Sequence, residues 1–232
     1  MLLALWSPKG GSGTSVIAAA CALVLARHDG VRLADLDGDQ PAILGLGSDP
    51  DPGLTDWLAA GPEAPTDALD RLAVEAAPRV ALLPRGTARV LAPVASAEAG
   101  AALGVALRDG PPTVVDVGRA CTPAARAVVE VADASVVVLR PCYLALRRAV
   151  QAPALARASG AVLIDEPGRS LGEREIADVL DRRVLARVPA RAGIARAVDA
   201  GVLASRVPDA LARPVSQLLG QLDLLPARGR AA

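Results

Sequence analysis

Phenylalanine is absent from the 232 residues, tyrosine occurs once and tryptophan twice. A core must therefore be built from Ala, Val and Leu, and since half the chain is apolar it can be substantial. Such a core suits a sheet of Val/Leu strands covered by Ala-rich helices. Acidic and basic residues balance at 25 each, which excludes a global field that would hold DNA or an anionic membrane and leaves only local patches. Asparagine is missing, and Lys9 is the sole lysine among many arginines, a bias of the kind GC-rich coding produces. Cys21, Cys121 and Cys142 are odd in number, far apart and flanked by apolar residues. They predict reduced core thiols rather than a disulfide frame or zinc site, and a cytoplasmic compartment. The opening Met1–Trp6 is too short for a signal peptide and lacks a basic leader, and no apolar run has transmembrane length.

The periodicity that is present predicts one α/β domain over residues 1–226, with a disordered tail at 227–232. Leu2–Trp6 reads as a strand, and Gly-rich sequence then leads to a helix over Val16–Ala26, at whose end His28 sits. Further strands are predicted at Val31–Ala34, Val80–Leu83, Thr113–Val117, Ser135–Leu139, Ala161–Ile164 and Val184–Val188. Pro50–Gly53 opens a short helix. Other helices are predicted at Ala88–Leu107, Pro123–Val131, Leu144–Ala158, Gly172–Leu180, Ile194–Ala200 and Ala210–Leu222. This alternation implies a doubly wound, mostly parallel sheet flanked by helices.

Between the first strand and first helix lies Lys9-Gly10-Gly11-Ser12-Gly13-Thr14-Ser15. Its glycines allow a tight turn with inward N–H groups, and the helix that follows offers its positive end, so phosphate is the natural occupant. Ser15 then stands where phosphate-loop proteins hold Mg²⁺. A dinucleotide fingerprint counted from Gly11 would need glycine at Val16 and fails. Two acidic strand ends face the same way: Asp35-Leu-Asp37-Gly-Asp39 after the second strand, and Asp116-Val-Gly118 later. Strand carboxyl ends are where such sheets bind ligands.

The loop resembles the deviant Walker A motif of the ParA/MinD-type ATPases, Lys-Gly-Gly-x-Gly-Lys-Ser/Thr, with Thr14 in place of the second lysine. The resemblance extends over nearly the whole chain. It implies a P-loop NTPase fold, ATP or ADP with Mg²⁺ held by Lys9, Gly10, Gly11, Ser12, Gly13, Thr14, Ser15 and Val16, and Lys9 reaching across a nucleotide-bridged homodimer. By the same resemblance Asp37 orients the attacking water, Asp35 sits near the magnesium shell, and Ser15, Asp37 and Asp116 serve the metal. Asp165 and Pro189 then lie at the adenine end. Thr14 carries no charge, so nucleotide binding is expected to weaken by about ten- to a hundredfold, and hydrolysis to be slow or lost.

Ser170–Leu180 and the C-terminal region look most like the CpaE/TadZ branch, which implies a protein partner in a positioning or secretion machine of the Tad-pilus or septum kind. The last helix lacks a basic face, so a core or partner-facing role is expected rather than membrane binding. Arg147, Arg148, Arg191 and Arg196 are the candidates for DNA contact in a partitioning ATPase. A non-hydrolysing scaffold with a degenerate site is the other alternative. Cys121 is expected to be a core thiol.

Overall fold

The computed structural model describes residues 1–87 and 96–225. The predicted tail at 227–232 and the 88–95 part of the Ala88–Leu107 helix lie outside them. The chain begins with β1 (Leu2–Trp6), α1 (Thr14–Leu25), β2 (Val31–Asp35), α2 (Gln40–Leu44), α3 (Leu54–Ala59), α4 (Ala68–Leu72), β3 (Val74–Ala77) and β4 (Val80–Leu83). It continues with α5 (Ala97–Asp109), β5 (Thr113–Gly118), α6 (Pro123–Val131), β6 (Ala134–Leu139), α7 (Tyr143–Gln151) and β7 (Gly160–Asp165). α8 (Glu173–Leu180), β8 (Val184–Pro189), α9 (Ala192–Asp199) and α10 (Asp209–Gln221) complete it.

The strands form one eight-stranded sheet in the order β3-β4-β2-β5-β1-β6-β7-β8. All neighbours are parallel except β3 and β4. This is the doubly wound, mostly parallel architecture read from the sequence. β3 escaped that reading because Val74-Glu-Ala-Ala is a half-exposed edge with no apolar run. α2 and α4 are five residues each and too short to show a period. α7 ends at Gln151 and a 3₁₀ turn spans Pro153–Arg157, since proline lacks the N–H that would continue the predicted helix to Ala158.

β1 sorts its side chains to both faces. Leu2, Ala4 and Trp6 join the core under α5, α6 and α7, while Leu3 and Leu5 join the one under α1 and α10. α1 is buried on almost every side, Val16 being its least covered residue, and Cys21 lies fully inside it. With no phenylalanine to fill space, helices approach closely: a Cβ on Gly100 of α5 would overlap the backbone of Ala124 in α6. Trp6 Nε1 donates to Ser135 Oγ at 3.1 Å, which satisfies the one polar atom of a fully buried ring. α10 buries Leu211, Val215, Leu218 and Leu219, so the C-terminal helix is a core element.

The expectation of three core thiols needs correction. Cys21 is buried, Cys142 is partly covered and Cys121 is exposed. Cys121 follows Ala120, whose φ of 39° turns the chain outward after β5, and apolar neighbours in sequence did not reveal that turn. Among the described residues no helix is long and apolar enough to cross a membrane.

Candidate functional site

β1 delivers its last residues to the carboxyl edge of the sheet, and the glycine loop turns there. Gly11 and Gly13 have φ of 73° and 83°, a left-handed backbone that a side chain would strain. The Lys9 carbonyl accepts hydrogen bonds from both Ser7 Oγ (2.9 Å) and Ser12 Oγ (2.8 Å), so the buried Ser12 hydroxyl staples the loop from within. Ser7 N donates to the Gly118 carbonyl at 2.8 Å and fixes the loop against β5. Ile17 N donates to Gly13 O at 3.1 Å, which leaves the N–H groups before it free at the start of α1.

A cleft of about 560 Å³ opens above this loop, a size suited to a small ligand. Gly10–Val16 form its floor, Asp37, Asp39, Ala42 and Ile43 one wall, and Gly118, Arg119, Arg140, Val198 and Asp199 the rest. Thr14, one of the residues of this floor, is only 5% exposed, and its buried hydroxyl has no hydrogen-bond partner. A buried hydroxyl left unpaired is costly unless something occupies the space beside it.

Beneath the floor lies a buried polar network. Asp35 and Asp116 stand opposite one another in register on β2 and β5, and both are fully buried. Asp35 accepts from the backbone N–H groups of Asp37 (3.0 Å), Gly38 (2.7 Å) and Gln40 (3.0 Å), so it shapes the turn that presents Asp37. Those three donors occupy the carboxylate that the sequence placed near a magnesium shell. Asp116 accepts from Gln40 Nε2 at 2.8 Å and from Gly118 N at 3.1 Å, with the Ser15 hydroxyl beside it. Gln40 Nε2 also donates to the Ser15 carbonyl at 2.9 Å, while its Oε1 is buried without a partner.

Burial raises Asp116 to about 7, the neighbouring Asp35 adding to it and the Ser15 and Gln40 hydrogen bonds opposing it. Burial likewise raises Asp35 to about 6 against its three backbone donors. Asp37 is solvent-accessible, yet partial desolvation and then Asp39 push its carboxyl above the usual range, while Arg85 and Arg119 pull it back. A Cβ at Gly118, where φ is 63°, would overlap the Asp37 carboxylate. Glycine there is what lets the two strand ends meet.

Lys9 is half-buried and not part of the cleft wall; its charge falls on Glu166, whose carboxyl is lowered from its ordinary value chiefly by the Arg169 hydrogen bond. Arg140 Nη1 pairs with Glu166 at 2.6 Å, and its Nε is buried and unpaired. Asp165 and Pro189 stand in register at the ends of β7 and β8, outside the cleft wall, and the Asp165 carboxylate pairs with Arg187 at 2.7 Å. Asp199 closes α9 just before Gly201. Arg147, Arg148, Arg191 and Arg196 are exposed. Among the described residues no three His, Cys, Asp or Glu side chains gather to hold a metal by themselves.

The sequence reading passed over Gln40, Arg119, Arg140 and Val198. A glutamine after a turn and arginines in an arginine-rich chain carry no chemical signature; only the fold brings them to the loop.

No family model matches the chain. No curated protein matches it either. Solved structures do match over nearly their full lengths. A ParA family ATPase from Chlorobium tepidum TLS superposes with a TM-score of 0.76 at 23% identity, covering 97% of this chain and 99% of that one. The septum site-determining protein MinD from Pyrococcus horikoshii OT3, complexed with Mg-ADP, gives 0.79 at 19% identity over 96% and 95%. The MinC:MinD cell division complex from Aquifex aeolicus gives 0.76 at 18% over 99% and 98%. The chain thus has the fold of the ParA- and MinD-type ATPases, with its glycine loop, paired strand-end aspartates and cleft at the carboxyl edge of the sheet.

Proposed function

We propose that the chain binds a magnesium–adenine nucleotide on the Gly10–Ser15 loop and acts as a ParA/MinD-like positioning protein, a nucleotide-dependent dimer switch with slow or absent hydrolysis. The observation that carries this reading is a cleft floored by the free N–H groups of a left-handed glycine turn, with the buried hydroxyl of Thr14 in that floor left unpaired. Neither group has a use in an ordinary turn.

The residues fit such a ligand. Loop N–H groups would receive phosphate oxygens, and Ser15 with Asp116 would hold the magnesium shell, Gln40 fixing the carboxylate's orientation. Bound Mg²⁺ would neutralise charge on the phosphates and favour the ionised form of Asp116. Few protein ligands are needed, since Mg²⁺ keeps water and phosphate oxygens around it. Asp37, at the cleft edge beside Gly118, is the group we assign to orient water. We assign Asp165 and Pro189, side by side at neighbouring strand ends, to the adenine. Lys9, the only lysine, is assigned to the partner subunit's nucleotide. Thr14 offers a hydroxyl where a cation would speed phosphoryl transfer, hence the slow turnover.

The machine we propose it positions is of the Tad-pilus or septum kind, on the CpaE/TadZ resemblance of Ser170–Leu180. The test is titration of ATP and ADP with and without Mg²⁺, with association state followed by sedimentation. Saturable, Mg²⁺-dependent binding that drives dimerisation, with dimerisation lost in Lys9→Ala, supports the switch. No saturable binding would leave a scaffold with a degenerate site, the reading that the charge-poor loop at Thr14 favours. Turnover at the rate of an intact Walker motif would overturn slow hydrolysis.

A further inference from the structure

Two cations stand in the cleft wall, Arg119 and Arg140. They differ in commitment. Arg140 is tied to Glu166 at 2.6 Å, and Glu166 also holds Arg169. Arg119 pairs with no carboxylate among the described residues, and its one side-chain hydrogen bond is a long contact of 3.9 Å to Cys121 Sγ. A guanidinium with five donors and no carboxylate within ion-pair distance among the described residues is a ready phosphate group receiver.

Position says which phosphates. Arg119 follows Gly118, whose carbonyl is fastened to the loop through Ser7 N, and the left-handed backbone at Gly118 and Ala120 turns the side chain back across the loop. A Cβ on Gly10 would lie 4.0 Å from Arg119 Cδ, and the Arg119 charge is felt at Asp37. The Arg119 stem therefore lies beside the start of the loop with its charge within range of Asp37, on the β5 side of β1 and away from β7 and β8. That is the terminal-phosphate end of the cleft. On the floor beneath, Thr14 is buried, uncharged and unpaired.

We propose that Arg119, from the loop after β5, supplies to the terminal phosphates of a bound nucleotide the positive charge that Thr14 cannot supply from α1. This rests on the nucleotide-binding reading above. It replaces a cation fixed on a helix by one on a longer, solvent-accessible side chain that can fork onto two oxygens. The charge then discriminates nucleotides by phosphate number rather than holding all of them equally.

The experiment is fluorescence titration of the full chain with mant-ATP and mant-ADP in Mg²⁺, in wild type, Arg119→Ala, Arg119→Lys and the double variant Arg119→Ala/Thr14→Lys. Arg119→Ala is expected to weaken mant-ATP by about ten- to a hundredfold and mant-ADP by less than about threefold, with Arg119→Lys, which keeps the charge but loses the fork, falling between wild type and Arg119→Ala. Thr14→Lys is expected to restore ATP binding in the Arg119→Ala background, a rescue that a merely structural role would not show. Equal losses for both nucleotides, or no rescue by Thr14→Lys in a variant with a wild-type melting curve, would overturn the proposal. If wild type binds both nucleotides and Arg119→Ala changes neither, this inference falls alone. If wild type binds neither, the nucleotide reading falls and takes it along.

Discussion

Gln40 Nε2 donates to Asp116 Oδ2 at 2.8 Å and to the Ser15 carbonyl at 2.9 Å, so one buried amide ties the start of α2 to β5 and to the first turn of α1. Removing it takes one donor from the buried Asp116 carboxylate, which keeps Gly118 N at 3.1 Å, and one from the Ser15 carbonyl. Gln40→Ala is expected to cost about 2 kcal/mol in urea unfolding. Gln40→Glu should cost more at neutral pH, because it sets a third carboxyl beside Asp35 and Asp116.

The two register-paired aspartates set a pH dependence in the metal-free protein. Their carboxyls are raised to about 6 and about 7, above the unfolded value near 3.9. Their contribution is therefore fully present below the unfolded pKa and is lost as pH rises through the folded values. Chemical unfolding of metal-free protein should show this contribution falling between about pH 4 and pH 7. Asp116→Asn should flatten the slope over that range.

Gly118 is where β5 and the turn after β2 touch. Gly118→Ala must relieve an overlap with the Asp37 carboxylate and hold a side chain at φ 63°. A loss of about 1–3 kcal/mol is expected, read from thermal melts. Gly10→Ala is the contrast: its Cβ would meet only the Arg119 side chain, at 4.0 Å, and φ there is not left-handed. Its melt should stay within about 1 kcal/mol of wild type.

Asp165→Ala separates two uses of one carboxylate. As the surface partner of Arg187 it should change stability by less than about 1 kcal/mol. As an acceptor from the adenine amino group it should weaken ATP by about two- to tenfold and leave the inosine nucleotide unchanged. Equal loss for both nucleotides would remove Asp165 from the adenine site.

What was legible in the sequence followed from burial with a simple period. Val80–Leu83 was placed to the residue because a strand covered on both faces is a continuous apolar run. The glycine loop, Asp37 and Asp116 were singled out because ligand chemistry at the carboxyl edge of such a sheet falls at strand ends. Val74–Ala77 was missed because an antiparallel edge needs no apolar run. Gln40 and Arg119 were missed for another reason. Their roles depend on what lies across the fold, a Ser15 carbonyl 25 residues away and a Gly10 backbone on a different loop. Cys121 shows the converse error, apolar neighbours in sequence standing for burial that a single left-handed residue undoes.

Gly45, just past α2, is packed against Gly201, just past α9, so closely that a Cβ on Gly45 would overlap the Gly201 carbonyl. At its other end α2 begins with Gln40, held on Asp116. A five-residue rod therefore spans from the polar network under the cleft to the element carrying Val198 and Asp199. At such a backbone contact α9 has no room to press inward. The length of α2 thus sets how near the Val198–Asp199 wall stands to the polar network under the cleft.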